Sequence, residues 1–73
     1  MVEVFKTSIQ RPEHAERLIA SLLEQFPECK INIDLTDCDK ILRVENNNGT
    51  IKADAIMDLM RRAEIEIEIL PDV

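Results

Sequence analysis

The chain has 73 residues with a single glycine, two cysteines and only two aromatics, Phe5 and Phe26, so its 45% hydrophobic complement must build an aliphatic core. At this length folding buries about 60% of the surface that the unfolded chain exposes, which leaves room for one domain, residues 1–73. Fifteen acids against nine bases give a formal charge of −6, and that balance argues against a phosphate-binding nucleic-acid surface and against docking on an anionic membrane.

Val2 to Thr7 reads as a strand, with Val2 and Val4 alternating against Glu3 and Phe5 breaking the strict pattern. Ser8 to Arg11 is a loop, and Pro12 suits the first position of a helix, where its missing N–H costs nothing. Ala15, Leu18, Ile19, Leu22, Leu23 and Phe26 then recur at helical spacing until Pro27 stops the run. Cys29 to Leu35 alternates apolar and polar residues without exception and is the clearest strand. Thr36 to Asp39 has turn composition, and Ile41 to Glu45 is the strand that returns from it. Asn46-Asn47-Asn48-Gly49 breaks the chain before a second helix carrying Ile51, Ala55, Ile56, Leu59, Met60 and Ala63 on one face. No capping box fixes that helix's start, which falls between Thr50 and Ala53. Ile65, Ile67 and Ile69 alternate with Glu64, Glu66 and Glu68 in a last strand ended by Pro71.

Strand, helix, strand, strand, helix, strand is the order of a ferredoxin-like βαββαβ sandwich. The expected architecture is α+β, a four-stranded antiparallel sheet with two helices on one face. The opposite face is expected to present Glu3 and Phe5, Lys30, Asn32 and Asp34, Ile41, Arg43 and Glu45, and Glu66 and Glu68. RNA readers of this topology stack bases on aromatics set among positive charge, a requirement that one Phe among acids does not meet. Phe5 and Ile41 on neighbouring strands are the candidates for a protein-partner or homodimer contact, against the simpler reading of a small exposed apolar spot.

The order of elements, the short length and the helix starting just after the first strand resemble the heavy-metal-associated domains, the soft-metal modules of metallochaperones and P-type ATPases. The resemblance spans nearly the whole chain at the level of pattern. That family carries Met-x-Cys-x-x-Cys between the first strand and first helix. Here the stretch is Ile9-Gln10-Arg11-Pro12-Glu13-His14, with Ile9 in the packing role of the Met and Arg11 and His14 roughly where the cysteines belong. Soft metals are held by thiolates and a guanidinium stays protonated. The resemblance therefore implies the fold without the family's metal transfer.

Cys29 and Cys38 are nine residues apart along an extended segment, roughly 25–30 Å at 3.3 Å per residue, too far for a disulfide. Cys29 shares parity with Ile31, Ile33 and Leu35 and is expected to face the core. Cys38, flanked by Asp37 and Asp39, is expected at the same end of the domain as His14, and together they are the candidate metal ligands. No Ser/His/Asp set or glycine-rich phosphate loop is present, and the carboxylate pairs Asp37/Asp39 and Glu66/Glu68 read as solvated. Met60 reads as core filler rather than a soft-metal ligand.

The chain is thus expected to be a small non-enzymatic interaction or ligand-sensing module without a cofactor, acting through a protein partner or as a homodimer. The alternative is a metal-binding or trafficking domain with an altered site at the His14/Cys38 end. No basic leader or long apolar run occurs at the start of the sequence, and with few cysteines the expected location is the cytoplasm, where thiols stay reduced.

Overall fold

Six elements follow in the expected order in the computed structural model: β1 (Val2–Thr7), α1 (Pro12–Gln25), β2 (Lys30–Asp34), β3 (Ile41–Glu45), α2 (Ala53–Arg62) and β4 (Ile67–Leu70). The structure describes residues 1–36, 40–47 and 49–70. The four strands form one antiparallel sheet in the order β2-β3-β1-β4, which is the ferredoxin-like α+β arrangement. Its shortest dimension is 19 Å, the thickness of one sheet and one helical layer.

Helix α1 begins where Pro12 sets the first turn. The Ala15 N–H donates to Arg11 O, and the helix closes with the Phe26 N–H on Leu22 O at 2.7 Å. Ala15, Leu18 and Leu22 form its buried stripe. Helix α2 starts at Ala53, so Ile51 precedes it instead of riding on it. Ile51 and Ile56 are both buried in the same core, in the positions of a hydrophobic staple that sets the angle at which the chain enters the helix. Ala55, expected on the buried face of α2, is exposed; Ile56 and Met60 carry that face.

The end of α2 is a Schellman turn. The Ile65 N–H reaches Met60 O and the Glu64 N–H reaches Arg61 O, both at 2.9 Å, with Glu64 in the left-handed region at φ 63°. Among the described residues Lys40 is the other non-glycine with a positive φ, 48°, at the start of β3. Beyond α2 the last strand is shorter than its alternation predicts: Ile65 is buried ahead of it, and regular pairing begins at Ile67.

The expected face of β1 is overturned as well. Phe5 does not lie on the open face of the sheet; it is fully buried against the helices. The register places it between Leu42 of β3 and Ile69 of β4, and directly opposed residues share a face. Glu3, Phe5 and Thr7 therefore point to the helical side, and Val2, Val4 and Lys6 to the other. Burial of the one aromatic ring in the sheet outweighs burial of two valines, since Phe removes far more apolar surface from water. Glu3 accompanies Phe5 to that side near the end of the sheet, where it stays half-exposed.

Candidate interaction surface

The loop between β1 and α1, the start of β3 and the approach to β4 meet at one end of the sheet. The Thr7 hydroxyl donates to Lys40 O at 2.7 Å, and the Lys40 ammonium donates to Leu35 O at 2.9 Å. The Ser8 N–H donates to Glu66 O, and the Glu66 N–H donates to Ser8 Oγ. Ile9 is fully buried beneath this end.

His14 sits in the first turn of α1, half-buried, in a shallow depression with Arg11, Glu13 and Arg17. Two guanidiniums against one carboxylate leave the lining net positive, which disfavours a cation at that spot. Cys38, with Asp37 and Asp39, lies outside the described residues. Among the described residues no three His, Cys, Asp or Glu side chains gather as metal ligands. Cys29 is buried as its parity predicts, and burial, with the Glu28 carboxylate adding to it, pushes its thiol pKa above the ordinary value. A raised thiol pKa makes Cys29 a poor nucleophile and ligand at neutral pH.

The sheet face away from the helices is ordered by the strand register. Across one row lie Asp34, Ile41, Lys6 and Glu68; across the next lie Asn32, Arg43, Val4 and Leu70; and across the third lie Lys30, Glu45 and Val2. Val2, Val4, Ile41 and Leu70 are each half-buried there. The register sets Lys6 opposite Glu68, and Lys30 opposite Glu45, so opposite charges face each other across the strands. Ile41 thus holds its expected place, but its apolar neighbours are the two valines and Leu70. The parity of Leu42 and Val44 as core was already legible, but it fixes the face of β1 only once the register that sets Phe5 opposite Leu42 is known.

The chain matches no family model and no curated protein. No described helix is long and apolar enough to cross a membrane.

Proposed function

We propose that this chain is a small, non-enzymatic interaction module, built on the plan of the heavy-metal-associated domains without their metal chemistry, and working through protein contacts made by its sheet. The observation that carries this reading is the one-sided arrangement of helices. It leaves Val2, Val4, Ile41 and Leu70 on an uncovered sheet face among paired opposite charges. Such a mixed surface suits a protein partner, whose contact areas combine apolar centres with a polar surround. It suits nucleic acid poorly, because its basic residues are interleaved with acids.

The alternative, a metal-binding or trafficking domain, draws support from the Thr7–Lys40 hydrogen bond, which ties the start of β3 to the loop preceding His14. Native mass spectrometry of the reduced protein, with zinc and with monovalent copper at micromolar levels, separates the two. The interaction module takes up neither metal. One equivalent per chain, lost on Cys38→Ser and His14→Ala but retained in Cys29→Ala, would replace it with the metal reading.

A further inference from the structure

Strand β2 is one edge of the sheet, and its sequence, Lys30-Ile31-Asn32-Ile33-Asp34, is complementary to itself when laid antiparallel on a second copy. We propose that two copies of this chain pair through β2 about a two-fold axis at Asn32, joining their four-stranded sheets into one continuous sheet. The inference rests on the interaction-module reading and names its partner as a second copy.

Centred on Asn32, the pairing sets Lys30 opposite the second copy's Asp34 and, by symmetry, Asp34 opposite its Lys30. Ile31 meets Ile33 on the helix side, again twice. Directly opposed residues of an antiparallel pair share a face, so both charge pairs fall on the open face and all four isoleucines on the core face. Neighbouring registers lose this match. A centre on Ile31 sets Lys30 against Asn32, and a centre on Ile33 sets Asp34 against Asn32. Moving the centre to either end of the strand opposes Lys30 to Lys30 or Asp34 to Asp34, a destabilising like-charge pair. A lysine on an edge strand ordinarily guards it against self-pairing; here the acid four residues on converts the guard into a register mark.

The carboxylate of Asp34 already accepts from the Thr36 N–H at 3.0 Å and the Thr36 hydroxyl at 2.6 Å. This holds it at the strand end, and its two oxygens together offer about four acceptor positions. The other edge is different. Glu68, the one acidic residue of β4, would meet Glu68 when that strand pairs symmetrically about it.

The helical layer supplies an independent observation. Gln25 and Phe26 line the groove shared with Ala55, Asp58, Leu59 and Arg62 of α2. At 100° per residue, Leu23 lies about 160° around α1 from Gln25. It is therefore turned away from the groove that Gln25 shares with α2, on the flank above the β2 edge, over which α1 packs. Leu23 is one of few large apolar side chains left exposed among the described residues, at 39%. Pairing through β2 brings the α1 helices of both copies side by side and antiparallel across the axis, with these flanks facing.

Sedimentation velocity over micromolar to millimolar concentration tests the proposal through a charge exchange. The unchanged protein forms a species of twice 8.4 kDa. Lys30→Glu and Asp34→Lys each weaken self-association by about tenfold or more, because each turns two symmetry-related attractive pairs repulsive. Mixing the two variants restores a dimer, since every opposed pair is again of opposite sign. A second variant does not depend on the charges: Asn32→Cys in a Cys38→Ser background forms an intermolecular disulfide on mild oxidation, because opposed Cα atoms in an antiparallel pair lie about 4.5–5.5 Å apart, within disulfide reach. A monomer at every concentration overturns the proposal, as does a dimer indifferent to both single charge changes, or an Asn32→Cys chain that stays uncrosslinked. Metal uptake would sink the interaction reading by a separate measurement; a metal-free monomer sinks only the edge pairing.

Discussion

Phe5 decides the parity of the central strand. Val4 and Phe5 are adjacent, so alternation alone permits either face to be the buried one, and the counting of valines favours the wrong one. What settles it is Phe5's position between Leu42 and Ile69, a pairing that involves residues some 40 and 60 positions away and that no local window contains. Phe5→Ala is therefore expected to cost about 3–5 kcal/mol, a large part of the stability of a domain this size. Ile41→Ala on the open face is expected to cost under about 1 kcal/mol. Urea unfolding followed by circular dichroism compares them, and equal costs would contradict the assigned faces. Glu64 was equally illegible. The sequence places its turn signals at Thr36–Asp39 and Asn46–Gly49, whereas Glu64, which takes the left-handed backbone at the end of α2, carries no such signal and the single glycine has no positive φ. A side chain in that region costs roughly 1–2 kcal/mol relative to glycine, partly offset by glycine's larger unfolded-state entropy. Glu64→Gly is expected to raise stability by up to about 1 kcal/mol, seen as a melting temperature higher by a few degrees. A lower melting temperature would mean that Glu64 contributes something other than the turn.

The elements themselves were legible because each carries one period. Helix α1 is bounded by Pro12 and Pro27, and β2 alternates without a fault, so both emerge within a residue or two of their observed ends. Helix α2 was the exception. Ile51 has the helical spacing relative to Ala55 but is used as a staple before the helix, and spacing cannot distinguish a residue on a helix from one that folds back under it. The segment leading into α2 is anchored by Asn46, which is buried although polar. Its N–H donates to Met1 O, its carbonyl accepts from the Met1 ammonium at 2.8 Å, and its amide donates to Thr50 O at 3.3 Å. The side-chain bond ties Asn46 to Thr50, four residues on. Asn46→Ala keeps the backbone bonds and leaves Thr50 O without this donor, an expected cost of about 1–2 kcal/mol measurable as a lowered urea midpoint. An unchanged midpoint would show that the loop is held by its backbone alone.

The fold of the whole molecule could be derived because two amphipathic helices and four half-buried strands in this order close into one sandwich. The site could not, because surfaces are set by what the core leaves over: only after Phe5 has been turned inward do Val2, Val4 and Leu70 become a surface at all. The metal end remains as the sequence left it on one side, with Cys38 outside the described residues, and on the other side His14 shares its depression with Arg11, Glu13 and Arg17. At this scale the paired-edge arrangement predicts where backbone amides are protected. Hydrogen exchange of the β2 amides directed away from β3 should slow as protein concentration rises through the dimer range. Exchange on β4, the opposite edge, should stay constant. Slowing on both edges, or on the open-face side chains' strands alone, would point to a different contact.

The central position of β1 has a bearing on how the chain is made. Both of its neighbours, β3 and β4, come later in the sequence, while the β2–β3 hairpin is the one pairing that forms between consecutive strands. A growing chain therefore exposes Val2, Val4 and Phe5 as an unpartnered extended segment until Glu45 has been added and can fold. During synthesis and refolding this segment is the one most open to pairing with the wrong molecule.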